Sequence, residues 1–198
     1  MRVISGSKKG RKLHAAPGWN TRPTADRVKE AIFNMIGPYF SGGMGLDLFA
    51  GSGALGIEGL SRGLDKVIFV DHDRSAVQTI KRNLELCDFA QQAEVFKTDW
   101  KRALASIARR KLSFQVIWCD PPYEMNVYRE VMAWADQHGT LAEEGVLVCE
   151  HKRELPLPEK YGDLIRFKLG EYGITAVSVY IKMGGAQDGT DCRLSGQF

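Results

Sequence analysis

Four short apolar runs each carry or lead into an aspartate, and each is followed by a stretch with helical spacing. Leu46-Asp47-Leu48-Phe49 runs into the glycine loop Gly51-Ser52-Gly53 and the helical pattern Ala54, Leu55, Ile57, Leu60. Residues 66–70 stop at Asp71, ahead of a helix over 75–87 spaced by Val77, Ile80 and Leu84. Residues 93–97 stop at Thr98-Asp99-Trp100, with Leu104 and Ile107 marking the next helix. Residues 114–119 deliver Asp120-Pro121-Pro122-Tyr123, then a helix spaced by Val127, Val131 and Trp134, then a fifth strand over 145–149. Strands alternating with helices require a parallel sheet with right-handed crossovers. All carboxyl ends of such a sheet lie along one edge, where ligands bind, so the aspartates converge on a single crevice.

The two ends of the chain depart from this pattern. Residues 164–169 and 174–181 are strand-like but separated only by Gly170-Glu171-Tyr172-Gly173, too short for a crossover helix, which predicts an antiparallel hairpin. At the N-terminus, residues 2–6 and 11–15 flank Ser7-Lys8-Lys9-Gly10 and read as a small basic β-hairpin. Pro17-Gly18 then breaks the chain, and a helix starts at Thr24 with Val28, Ala31, Ile32 and Met35 on one face, until Gly37-Pro38 stops it. The organisation expected is a basic hairpin and helix over 1–40 packed on a core over 41–183, with a polar, Gly-rich flexible tail over 184–198. No stretch approaches the ~20 apolar residues of a membrane span. The N-terminus lacks the apolar centre of a signal peptide, so a cytoplasmic protein without membrane contact is expected. Cys87, Cys119, Cys149 and Cys192 form no Cys-x-x-Cys pair and read as reduced, mostly core residues; no metal site is expected.

Gly51-x-Gly53-x-x-Gly56 with Asp71 twenty residues after Gly51 also satisfies a dinucleotide fingerprint. Asp47 and the later Asp120-Pro121-Pro122-Tyr123 break the tie: a carboxylate at the turn repels a pyrophosphate but suits the cationic sulfonium and amino group of S-adenosylmethionine. In that reading Phe49, Gly51 and Gly53 form the cofactor loop with Asp47, and Asp71 accepts both ribose hydroxyls. Asp99 then accepts from the adenine amino group, with His72 or Trp100 in ring contact. In Asp120-Pro121-Pro122-Tyr123 the prolines fix the backbone and remove two N–H donors, so the loop presents carbonyls and a carboxylate to something that donates. An exocyclic nucleobase amine donates two hydrogens. Asp120 then holds the amine, Pro121 supplies a second acceptor through its carbonyl, Pro122 stiffens the loop, and Tyr123 stacks on the base.

The motifs Asp47-Leu48-Phe49-Ala50-Gly51-Ser52-Gly53, Asp71, Asp99 and Asp120-Pro121-Pro122-Tyr123 resemble those of class I S-adenosylmethionine-dependent methyltransferases acting on exocyclic amines. Gly10-Arg11-Lys12-Leu13 and the segment 21–34, Thr21-Arg22-Pro23-Thr24-Ala25-Asp26-Arg27-Val28-Lys29-Glu30-Ala31-Ile32-Phe33-Asn34, resemble more narrowly the RsmD family of rRNA guanine-N2 methyltransferases. The resemblance implies an α/β, Rossmann-like fold with a seven-stranded, mostly parallel sheet whose last strand is antiparallel. It further implies methylation of a guanine 2-amino group in 16S rRNA, free or in a small-subunit particle, with no obligate protein partner. The charge distribution agrees: net charge is only +3, yet residues 1–25 hold Lys8, Lys9, Arg11, Lys12 and Arg22 and no acid before Asp26, as a polyanion-binding surface needs. A DNA adenine or cytosine amino methyltransferase, a nicotinamide-dependent oxidoreductase and a non-enzymatic RNA-binding module remain as rival readings at this point.

Overall fold

The computed structural model describes residues 1–15, 23–122 and 124–183. In chain order the elements are α1 (Pro23–Ile36), β1 (Met44–Asp47), α2 (Ala54–Ser61), β2 (Lys66–Asp71), α3 (Arg74–Leu86), β3 (Ala93–Lys97) and α4 (Trp100–Arg110). There follow β4 (Phe114–Cys119), α5 (Tyr128–Gln137), β5 (Leu141–Lys152), β6 (Lys160–Tyr161), β7 (Leu164–Tyr172) and β8 (Thr175–Lys182). One sheet takes the order β3-β2-β1-β4-β5-β8-β7-β6. The pairs among β1 to β5 are parallel, whereas β8 inserts antiparallel against β5 and β7 runs antiparallel to β8. The predicted hairpin is therefore present and longer than its apolar runs, turning at Gly173-Ile174. An eighth strand of two residues, β6, adds to the seven that the resemblance implies, because Lys160 and Tyr161 pair with Ile165 and Leu164.

Side chains alternate across the sheet and build a core on each face. Leu46, Ile68, Ile117, Cys119, Leu147 and Cys149 pack under α4 and α5. Val67, Phe69, Val116, Trp118, Val148 and Val177 pack under α1, α2 and α3 with Ile32, Phe33, Ile57 and Ile80. The same alternation sends Asp47 to the α1/α2 face, and it sends there the residues that follow Cys119 and Cys149. Gly56 lets α2 lie directly on β2, since any Cβ at that position would collide with the Phe69 ring. Cys87, Cys119 and Cys149 are buried and unpaired by disulfide.

The N-terminal segment is a hairpin reduced to one bridge, Arg2 with Lys12, closed by Val3 N–H to Arg11 O at 2.9 Å and Leu13 N–H to Met1 O at 3.1 Å. Val3 and Leu13 enter the α1/α2 core. What holds the segment down is Glu58, fully buried in α2. Its carboxylate accepts from Ile4 N at 2.8 Å and Ser5 N at 2.9 Å, and it pairs with Lys29 Nζ at 3.1 Å and Arg62 Nε at 2.7 Å. A buried carboxylate persists only with such partners, so this network sets where the hairpin sits on α1 and α2.

Candidate active site

The carboxyl ends of β1, β2, β3, β4 and β5 meet at one edge, and the loop after β1 is shaped by its neighbour. Asp71, last residue of β2, accepts the Gly51 N–H on Oδ2 at 2.8 Å and the Asp73 N–H on Oδ1 at 2.9 Å. Gly51 and Gly53 take φ of 53° and 77°, the left-handed region open to glycine, which turns the chain from β1 into α2. A side chain at Gly51 would meet no atom within 4 Å, so the space before the loop is open.

That space is a cavity of about 430 Å³, whose lining includes Phe49, Gly51, Asp71, His72, Asp99, Trp100, Asp120 and Pro122. Phe49 and the buried Trp100 lie 6.2 Å apart at 47° and form an aromatic wall. Each oxygen of Asp71 accepts one backbone N–H and keeps the capacity to accept another. Asp99 is exposed and caps α4, accepting from Lys101 N at 2.9 Å on Oδ1, while Asp73 caps α3 through Ser75 N at 2.6 Å and Ala76 N at 2.9 Å. His72 stands exposed with Nδ1 3.6 Å from Asp71 Oδ1. Aromatic faces beside acceptor carboxylates fit a nucleoside, whose rings are apolar and whose hydroxyls and amine donate.

A second, smaller cavity of about 160 Å³ opens on the α1/α2 face, lined by Val28, Lys29, Ile32, Asp47, Asp120 and Glu150 among others. It shares Phe49, Gly51 and Asp120 with the larger one. Asp47 thus sits on the smaller side, where it accepts the Gly56 N–H at 3.0 Å. Burial pushes its carboxyl up to about 7 against that bond, with the Asp120 charge adding to the rise. Asp120 is held well above the usual carboxylate range by burial and by Glu150, and burial raises Glu150 to about 7. These three acids face one small space whose lining includes the cationic side chain of Lys29, itself committed to Glu58 and to Arg2 O at 2.6 Å. Three acids held together in this way favour a cation or N–H donors beside them.

The Asp-Pro-Pro loop joins the two spaces. Pro122 lines the larger cavity and its carbonyl accepts from Met125 N at 2.8 Å, which closes the turn. Pro121 is buried, and its carbonyl accepts no hydrogen bond among the described residues. Tyr123 lies outside the described residues. Gly53 lines neither cavity and serves the turn.

Of the basic residues singled out, Lys9, Arg11 and Lys12 are exposed and carry no ion pair among the described residues. Lys8 differs, being committed to Asp88 Oδ2 at 2.9 Å and lying 5.7 Å over the Phe89 ring. Arg22 lies outside the described residues. The two ends of the hairpin, Met1 and Ala15, border the smaller cavity, so its basic strand approaches the mouth of the site. The sequence does not single out Glu150, because the fifth apolar run ends at Cys149.

A parallel sheet that reverses into an antiparallel pair at β8, with a glycine loop and an Asp-Pro-Pro turn flanking one crevice, belongs to the Rossmann-like, S-adenosylmethionine-dependent methyltransferases. Residues 1–181 match the family described as "Conserved hypothetical protein 95". The chain belongs to that family, the RsmD family. It is 53% identical over 184 residues to YlbH of Bacillus subtilis (strain 168), covering 93% of this chain and 100% of that protein. It is 35% identical over 164 residues to "Ribosomal RNA small subunit methyltransferase D" of Haemophilus influenzae, covering 81% and 84%. The solved structure of yhhF from Escherichia coli superposes with a TM-score of 0.77 at 31% identity, covering 92% of this chain and 97% of that one. The protein is a methyltransferase.

Proposed function

We propose that the protein methylates the 2-amino group of a guanine in small-subunit rRNA, acting in the cytoplasm on free RNA or a small-subunit particle without an obligate protein partner. The observation that carries this reading is Asp120 in the lining shared by both cavities, beside the Pro121 carbonyl, which accepts no hydrogen bond among the described residues. When bound, S-adenosylmethionine supplies an electrophilic methyl group on a cationic sulfonium. The residues that would hold it are Phe49 and Trp100 against the adenine, Asp99 toward its amine, Asp71 at the ribose, His72 at the rim, and Asp47 toward the cationic end, with Gly51 and Gly53 giving the loop its turn.

Asp120 and the Pro121 carbonyl would take the two amine hydrogens. That fixes the nitrogen in one orientation and frees its lone pair from the ring, and such alignment supplies most of the rate when reacting atoms are held at ~3–3.5 Å. Asp120, when ionised, can also take up the proton that the amine gives up. Pro122 keeps the loop stiff, and Tyr123 would stack on the base. Lys9, Arg11, Lys12 and Arg22 would hold the phosphates of the approaching strand, with Lys8 steadying the hairpin against Asp88.

Incubating purified small-subunit rRNA with isotope-labelled methyl donor, followed by nucleoside mass spectrometry, tests this. Label in N2-methylguanosine is the expected product. Label in N6-methyladenosine or N4-methylcytidine would overturn the guanine assignment.

A further inference from the structure

We infer that Glu150 is the residue that selects guanine, accepting the ring N1–H beside the amine that Asp120 holds. The inference rests on the guanine-amine reading given above and names what reads the base. Parallel pairing of Cys119 with Cys149 at the end of β4 brings Asp120, just past that strand, next to Glu150 of β5. Both line the smaller cavity. The strand order β1-β4-β5 puts Glu150 across Asp120 from the glycine loop, so a base whose amine meets a donor seated over β1 extends its ring toward Glu150. The place of Glu150 is fixed by its own backbone, since Tyr128 Oη donates to the Glu150 carbonyl at 2.9 Å. Its carboxylate accepts no hydrogen bond from any described residue and no cation pairs with it there.

The chemistry of the bases supplies the selection. Beside the exocyclic amine, guanine carries a donor, N1–H, whereas adenine carries an acceptor at N1 and cytosine an acceptor at N3. When ionised, the two neighbouring carboxylates match the guanine edge and set a negative charge against the lone pair of either other base. Asp120 alone would accept an amine hydrogen from all three.

The test compares guanine with 2-aminopurine, which keeps the 2-amino group but has a bare acceptor at N1, placed at the same position of a short RNA. Wild-type enzyme should favour guanine in kcat/KM by roughly 10²-fold, as a site built to bind a donor rejects an analogue lacking it. Glu150→Gln, whose amide can donate to N1, should shrink that ratio at least about tenfold, and Glu150→Ala should shrink it without raising activity on 2-aminopurine. Binding of S-adenosylhomocysteine by calorimetry, read alongside, should stay within about twofold of wild type and shows that the variants are folded. Unchanged discrimination in both variants, including an equal fall in kcat/KM on both bases, would overturn the role of Glu150. Transfer to no guanine by the wild-type enzyme would instead overturn the amine reading itself, and this inference with it.

Discussion

Asp71 Oδ2 accepts the Gly51 N–H at 2.8 Å, so the carboxylate expected to hold a ribose also braces the loop that would face the methyl donor. Asp71→Ala should therefore weaken S-adenosylmethionine binding by ~2–4 kcal/mol, more than a lost hydroxyl contact alone, since a charged acceptor and the loop geometry go together. Asp71→Asn keeps one acceptor oxygen and should fall between the two. Calorimetry on the three proteins reads this directly; equal affinities would mean that the loop needs no brace.

Burial lifts Asp47 to about 7, and the sign of the consequence can be worked out. The folded protein holds this proton where the unfolded chain, with an ordinary carboxyl near 4, has released it. Stability from this group is therefore present at low pH and lost as pH rises from about 4 to 7. A cation beside Asp47 reverses the preference, so S-adenosylmethionine should bind more tightly as pH rises from 6 to 8, by up to about tenfold per unit until the group is ionised. Glu150 and Asp120 titrate in the same space, and Asp47→Asn isolates the contribution. The variant should melt higher at pH 8 without ligand and show a flatter pH dependence of binding. A slope identical to wild type would remove Asp47 from the cationic end.

Glu58 accepts from Ile4 and Ser5 and pairs with Lys29 and Arg62, all from a buried position. Glu58→Ala strands two buried cations and two backbone donors, and a loss of about 3–5 kcal/mol in chemical denaturation is expected. Amide exchange should rise first over residues 3–13. Uniform acceleration across the sheet instead would show that the network supports the whole core rather than the hairpin.

Replacing Lys9, Arg11 and Lys12 by Ala should raise the KM for RNA and flatten its salt dependence, each lost phosphate contact removing ~0.7–0.9 from the log–log slope. Lys8, paired with Asp88, should contribute less when replaced alone. Cofactor affinity should not move. An unaltered slope in the triple variant would take the hairpin off the RNA.

What the sequence made legible follows from where each residue's partner lies along the chain. Asp71 and Asp120 stand out because a carboxylate ending an apolar run needs only the rule that parallel strands end together. The same rule extends to Glu150, which directly follows Cys149 at the end of the fifth apolar run. Glu58 could not be found this way. It lies among Ala54, Leu55, Ile57 and Leu60 as an outward charge would, and only the hairpin folding back from more than fifty positions away buries it. Lys8 reads as a free charge for the same reason, its partner Asp88 being 80 residues on. The caps at Asp73 and Asp99 are local, and the turn chemistry carries them.

The most direct measurement is single-turnover methyl transfer by Asp120→Ala and Asp120→Asn on saturating RNA, with S-adenosylmethionine affinity determined separately for each. If Asp120 grips the amine, both variants should bind the cofactor within a few-fold of wild type. Asp120→Ala should then transfer at least ~10²-fold more slowly, the scale of a hydrogen bond made in the transition state. Asp120→Asn, which keeps an acceptor but not the charge, should retain more activity where orientation dominates and should match Asp120→Ala where proton removal dominates. Turnover near wild type in both variants would contradict an amine-holding site at Asp120 and leave Asp120-Pro121-Pro122 as a structural turn.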